Sequence, residues 1–308
     1  MNASEKISAL QSAMKKNGMA GYLIPSADPH MSEYLPQHYR ARAWFSGFTG
    51  SAGTLAVTAE KAALWTDGRY FIQAERELAG SGIELMRMNE PGVPKVEEWL
   101  AEQLPADSVM GLDGKVNAVD AVEKLEKAFA DKKVSVCDQD LVSEIWTQDR
   151  PAIPATEVWA LGVEFAGKTA AEKLADVRAS LAKHHADATL VSRLDSVAWL
   201  LNLRASDIAY NPFAMAYCLV LPEKAVLFIN TKRLPEEIRT ALVEQGVEVC
   251  EYEEVEQALK GLTQPVKMLY EKTGLSYRLY RTLKENSAVT LQEGEEPVAL
   301  LKGVKNET

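Results

Sequence analysis

Apolar and polar residues alternate along this chain in blocks that change period, and the blocks predict its elements. A helix-like stretch over about 4–17 gives way to the apolar run Ala20-Gly-Tyr-Leu-Ile-Pro25, read as a strand. A long polar loop follows, holding Asp28, His30, Glu33 and Arg40. Two further apolar runs, Thr54–Thr58 and Ala62–Trp65, flank Glu60-Lys61 as the strands of a hairpin. Beyond Asp67-Gly68 the residues Tyr70, Ala74 and Leu78 fall four apart, on one face of a predicted helix. Strand, helix, strand, helix and strand then alternate over Ile83–Met88, Val93–Leu104, Val109–Leu112, Ala118–Ala130 and Val134–Cys137.

The same plan returns. A helix starts at Thr169, and a strand is predicted over Ala188–Val191 with a helix over Ser196–Leu203. A hairpin joins Ala216–Leu221 to Ala225–Ile229, and an alternating tail runs from Pro235 to Leu291. The copy keeps register in detail: Glu5-Lys6 aligns with Glu172-Lys173, Tyr22-Leu-Ile24 with Thr189-Leu-Val191, and Asp28 with Asp195, at an offset of 167 residues. Glu60-Lys-Ala62 then aligns with Glu223-Lys-Ala225, and Asp67 with Asn230, at an offset of 163. A hairpin followed by βαβ alternation implies a sheet part antiparallel and part parallel, with helices packed on it. The expected fold class is therefore α/β, in two tandem, duplicated domains.

The expected first domain spans 1–150 and the second 158–292. Between them 147–157 carries two prolines and little periodicity, as a linker would. Glu293-Gly-Glu-Glu-Pro297 reads as a second linker, and 293–308 as a path towards a further domain.

At 308 residues the chain is long enough for two cores, and 47% hydrophobic with 25% charged residues is ordinary for a soluble globular protein. No window is long or apolar enough to span a membrane, and no secretory signal opens the chain. Three scattered cysteines, Cys137, Cys218 and Cys250, fit free thiols in a reducing, cytoplasmic setting. The net charge of −10, without a Lys/Arg cluster, argues against nucleic acid as a partner.

Few runs suggest chemistry. Ser46-Gly-Phe-Thr-Gly-Ser-Ala-Gly53 has neither dinucleotide-binding nor P-loop spacing and precedes a strand, so a tight backbone turn explains it better than a phosphate loop. Ser51 lacks the context of a nucleophile elbow. Asp28, His30 and His38 could be metal ligands on one loop, but no second cluster completes the set, and Asp28 can instead cap a turn. In Trp65-Thr-Asp-Gly-Arg-Tyr70 the structural reading has Asp67 capping the helix, with Trp65 and Tyr70 in the core. The functional reading has Arg69 projecting from the corner, its guanidinium forking onto a carboxylate or carbonyl. Arg204 and Asp207 form a possible ion pair at a helix exit. No complete catalytic constellation is visible.

Pro25-Ser-Ala-Asp-Pro-His-Met-Ser-Glu-Tyr34, the glycine-rich run 46–53 and Trp65-Thr-Asp-Gly-Arg-Tyr-Phe71 together resemble the first domain of the three-domain Xaa-Pro aminopeptidases (aminopeptidase P). Ile145-Trp146, Arg150-Pro151, Leu194–Arg204 and Asn211-Pro212 resemble the second. The resemblance covers essentially the whole chain. It implies two creatinase N-terminal-like domains of the ribonuclease H-like type, ahead of a pita-bread catalytic domain that these residues do not include. It further implies release of the residue preceding a proline in second position, by two divalent ions, usually manganese, held in that other domain. Arg69 falls where the family has a substrate-contacting arginine, and a homodimer of the full-length protein is expected. No role follows for His30 or Glu33. The alternative is a non-catalytic peptide- or protein-binding scaffold, a pseudoenzyme built on the same domains.

Overall fold

The two Glu-Lys pairs that mark the repeat each stand at the start of a helix, and both glutamates close a capping box. In the computed structural model, which describes residues 1–307, Asn2 accepts from the Glu5 N–H while Glu5 accepts from the Asn2 N–H. Thr169 and Glu172 repeat this at helix Ala170–Lys183. Two N-terminal amides of each helix are thereby satisfied, a contribution of about 1 kcal/mol per cap.

The first compact unit comprises Met1–Asp28 and Gln37–Ala152. Its six-stranded sheet contains β1 (Gly21–Pro25), β2 (Thr54–Thr58), β3 (Ala62–Thr66), β4 (Ile83–Arg87), β5 (Val109–Leu112) and β6 (Ser135–Asp138), in the order β4-β3-β2-β1-β5-β6. The pairs β1–β2 and β2–β3 are antiparallel, whereas β3–β4, β1–β5 and β5–β6 are parallel. The hairpin turns as predicted, with the Thr58 N–H donating to Lys61 O.

The second unit comprises Pro29–Pro36 and the chain from Ile153 onward. After the short β7 (Trp159–Ala160) come β8 (Ala188–Val191), β9 (Leu203–Arg204), β10 (Ala216–Val220), β11 (Ala225–Ile229), β12 (Val247–Cys250), β13 (Val266–Tyr270) and β14 (Val289–Glu293). Six of them form a sheet in the order β12-β11-β10-β8-β13-β14, strand for strand the arrangement of the first. β7 and β9 pair separately, as a two-stranded antiparallel ribbon.

Strands β3, β10 and β11 are buried at every position, without alternation. That is the signature of a sheet covered on both faces. In the first unit Leu10 and Met14 of the opening helix pack with Tyr22, Leu55 and Leu64. In the second, Leu174, Val177 and Leu181 pack with Val191, Cys218 and Leu227. Tyr22 spans its unit: its hydroxyl donates to Gln139 O at 2.8 Å and accepts from the Leu141 N–H at 3.0 Å. Burial raises the pKa of this phenol.

The structure departs from expectation in three places. Helix Leu194–Leu201 starts and ends two residues earlier than predicted, because Asn202 adopts a left-handed φ of 55° and turns the chain into β9. A helix at Ala41–Ser46 has no counterpart in the predicted loop; it closes on Gly47 at φ 77°. The segment 293–308, expected as a linker, holds a helix over Pro297–Gly303; Pro297 suits the first turn, and Val298 is wholly buried in the second unit's core. Thr308, the last residue of that segment, lies outside the described residues.

Candidate functional site

At the end of β3, Trp65 goes into the core and its indole N–H donates to Pro94 O at 2.8 Å. Thr66 donates to Ala52 O at 2.7 Å, which ties the strand end to the glycine-rich loop. Asp67 then does something other than the predicted capping. Helix Phe71–Glu77 begins at Tyr70 without a side-chain cap, and the Asp67 carboxylate bonds to Arg69 instead. Oδ1 accepts from the Arg69 N–H at 3.1 Å and from its Nε at 2.8 Å; Oδ2 accepts from Nη2 at 2.8 Å. The aspartate is one residue too far from the helix to reach its first amides, so it closes the turn locally. The guanidinium hydrogen bonds hold its carboxyl below the usual carboxylate range. The Arg69 side chain is 68% exposed, with its guanidinium carbon 5.2 Å from the centre of the Tyr70 ring. Tyr70 is half-buried, and its hydroxyl lies 2.7 Å from that of Ser51. Ala74 and Leu78 complete the buried face of the helix.

The glycine-rich run folds around a residue the sequence gave no reason to notice. Arg42 is 4% exposed, and its guanidinium donates to Ser26 Oγ at 2.9 Å, to Phe48 O at 2.6 Å and to Gly50 O. Burial, opposed by the more distant Glu77, pushes this group down to about 10. Gly53 is required by packing, since a Cβ there would meet Trp65 O at 2.8 Å. Thr49 donates through its N–H and hydroxyl to the Glu77 carboxylate, both at 2.8 Å, and Gln73 bonds to both residues. The run is a backbone turn held by buried arginine, with no phosphate cradle.

The other candidates serve the fold. His30 is 1% exposed, and its Nδ1 lies 2.7 Å from Ser192 O; a carbonyl only accepts, so Nδ1 carries a proton. Its Nε2 is 2.8 Å from the Tyr252 hydroxyl, and its ring packs 4.3 Å from that of Tyr217. Both nitrogens are thus spent on protein groups. His38 directs Nδ1 at Pro151 O, 2.7 Å away; Asp28 is buried and Glu33 exposed. Among the described residues no group of three or more His, Cys, Asp or Glu side chains is placed to hold a metal ion. The dinuclear centre that the resemblance implies has no fitting ligand set here.

The expected pair of Arg204 and Asp207 does not form. Arg204 donates to Ala198 O at 2.6 Å and Leu203 O at 2.8 Å, closing the end of its helix. Asp207 instead meets Arg233, with both side chains almost wholly buried. It also accepts from the Thr156 N–H and hydroxyl at 3.0 and 2.7 Å and from the Met215 N–H at 2.7 Å. Arg233 sits in Thr231-Lys-Arg233, which reads in sequence as a basic surface turn.

Known proteins place these observations. Aminopeptidase P2 of Arabidopsis thaliana is 37% identical over 91% of this chain and 40% of its own length. Xaa-Pro aminopeptidase 2 of Rattus norvegicus is 35% identical over 99% of this chain and 46% of its own. The crystal structure of the X-prolyl aminopeptidase of Caenorhabditis elegans, described as a cytosolic enzyme with a di-nuclear active site, superposes with a TM-score of 0.92. It is 32% identical over 100% of this chain and 52% of its own. The chain spans about half the length of the curated relatives it matches. Residues 6–145 match one profile of the Creatinase/Prolidase N-terminal domain, and 149–308, more than half the chain, match a second. With two mixed sheets of identical strand order behind those matches, the chain belongs to the creatinase/prolidase N-terminal domain family.

Proposed function

We propose that the two units are the non-catalytic N-terminal region of a metal-dependent Xaa-Pro aminopeptidase, where they shape the cleft that receives peptides with proline in second position. The observation that carries this reading is the pattern of coverage: identity of 35–37% runs through nearly all of this chain and takes in about half of each relative. The described residues offer no ligand cluster for a pair of divalent ions, manganese by resemblance; the contribution proposed for them is binding and orientation. A cytoplasmic homodimer belongs to the same reading, supported by three unpaired cysteines and by the cytosolic relative.

Arg69 is the residue proposed to touch substrate. The corner that carries it recurs in the second unit at Asn230–Lys232, where Asn230 Oδ1 accepts from the Lys232 N–H at 3.2 Å. That turn closes without an arginine, so the backbone does not require Arg69. An exposed ion pair such as Arg69–Asp67 adds only about 0–1 kcal/mol to stability. What Asp67 does provide is a fixed guanidinium plane, suited to a peptide carbonyl or carboxylate beyond the proline. Such a charge-assisted bond is worth roughly 1.5–3 kcal/mol.

The reading is tested by hydrolysis of a short X-Pro peptide with added Mn²⁺, comparing this chain with a protein continued to the length of its relatives. Activity in the longer protein alone is expected. Activity in neither would favour a binding scaffold, and activity in residues 1–308 would place a catalytic site within them.

A further inference from the structure

The second unit carries a groove that neither the repeat nor the reading above uses. It lies between β7 and helix Glu236–Glu244, has a volume of about 580 Å³, and is lined by Val158, Ala160, Leu161, Leu203, Ile238 and Leu242 among others. That volume is in the range of sites that take up small ligands or side chains. At its mouth Trp159 is 49% exposed, Val163 46% and Phe165 69%, three large apolar side chains within seven residues. Single exposed apolar residues are ordinary, but a cluster beside an apolar groove marks an interaction surface.

The backbone gives the groove a direction. β7 has one neighbour, β9, with Trp159 opposite Arg204 and Ala160 opposite Leu203. The Leu161 N–H donates to Asn202 O at 2.7 Å. In an antiparallel pair the bonded positions alternate, so Trp159 and Leu161 face β9 while the N–H and C=O of Ala160 point away from it. On that side the Val158 N–H is taken by Arg233 O at 3.0 Å, and Ala160 lines the groove. An edge of this kind accepts an added strand. The charge is one-sided as well: the ionisable side chains that line the groove are Glu157 and Glu237, and Glu164 stands beside Gly162 at its mouth. All three are exposed acids.

We infer that this groove binds an extended peptide segment that pairs with Ala160 of β7, buries a central apolar side chain, and carries flanking lysine or arginine. The backbone edge supplies hydrogen bonds, the groove takes the apolar side chain, and the acids select basic neighbours.

The probe is the peptide acetyl-Lys-Val-Leu-Val-Lys-amide titrated into the 308-residue chain, followed by calorimetry and by tryptophan emission with Trp159→Phe as the reference. Saturable binding that weakens at least tenfold in each of three cases is expected: with glutamates replacing the lysines, with the central amide N-methylated, and with Glu237→Lys in the protein. The charge-swapped peptide should regain affinity for Glu237→Lys, which also shows that this variant folds. Absence of saturation at millimolar peptide would overturn the inference. So would equal affinity for the acidic peptide, or sedimentation showing that Trp159→Asp dissolves a dimer, which would give the face to a second copy of the chain.

Discussion

The two units share a sheet order and differ in how they use the same lysine. Lys6 and Lys173 follow the capping glutamates of equivalent helices, and each donates to a tryptophan main-chain carbonyl: Trp44 O at 2.7 Å and Trp199 O at 2.9 Å. Each ammonium also lies over the ring of that tryptophan, 4.2 and 4.5 Å from its centre. Lys6 is half-buried, whereas Lys173 is 2% exposed and adds a bond to Asn202 Oδ1 at 2.6 Å. Burial, with smaller help from the nearby positive Arg204, pushes the Lys173 ammonium down to about 8, and burial alone lowers that of Lys6. One duplicated contact has become a buried polar anchor in the second unit and has stayed a surface clasp in the first. The corners diverge the opposite way. The Asx turn at Asp67 carries a forked arginine, and its counterpart at Asn230 carries an exposed lysine opposite no carboxylate of its own turn. The second unit therefore concentrates on stability, and the first keeps the exposed, oriented charge.

Four perturbations sharpen this contrast. The largest concerns Asp207, whose removal leaves Arg233 buried and unpaired; Asp207→Ala should cost about 3–5 kcal/mol in urea unfolding. A loss under 1 kcal/mol would show that the second unit does not depend on that pair.

The next is a pH effect. Glu296 is 7% exposed, and its Oε2 is 3.6 Å from Arg193 Nε, with Glu271 and Asp195 also facing it. Burial pushes its carboxyl from 4.5 up to about 7. The folded state holds this proton more tightly than the unfolded chain, so the stabilisation is complete below about pH 4.5 and is lost as pH rises through 7. The loss is of order 3 kcal/mol, and Glu296→Gln should flatten it. Asp67 and Glu77 of the first unit are shifted down; their contribution goes the other way, present at neutral pH and lost on acidification. Parallel pH profiles for wild type and Glu296→Gln between pH 5 and 8 would contradict the assignment.

Third, Lys173→Met strands Trp199 O and Asn202 Oδ1 and should cost about 1–3 kcal/mol, against less than about 1 kcal/mol for Lys6→Met. Equal losses would remove the distinction between anchor and clasp. Smallest, Arg69→Ala and Lys232→Ala should each shift stability by less than about 0.5 kcal/mol, because both side chains are exposed.

Much of the fold was legible because periodicity reports burial directly. The hairpins, the Tyr70–Ala74–Leu78 face and the repeat itself all follow from which residues are apolar. The polar architecture was not legible, for a physical reason. Arg42 and Arg233 are buried by partners that no local pattern announces: carbonyls of a glycine-rich turn in one case, a carboxylate 26 residues away in the other. Asp207 was matched with Arg204 on proximity in sequence, whereas Arg204 is drawn to the carbonyls at its own helix end. Arg69 was singled out at the right corner, yet its fork closes on Asp67, because a carboxylate two residues away reaches it without ordering anything else. Helix Pro297–Gly303 escaped notice because a seven-residue helix with one wholly buried valine has too little pattern to show.

The most direct test of the central claim is steady-state hydrolysis of X-Pro peptides of increasing length by the relative-length protein, comparing wild type, Arg69→Ala and Lys232→Ala. The account predicts a KM raised roughly tenfold or more by Arg69→Ala on peptides extending beyond the proline, with kcat largely retained and Lys232→Ala unchanged. Unaltered kinetics in Arg69→Ala on every peptide would contradict it and leave the fork to Asp67 as a feature of the turn alone.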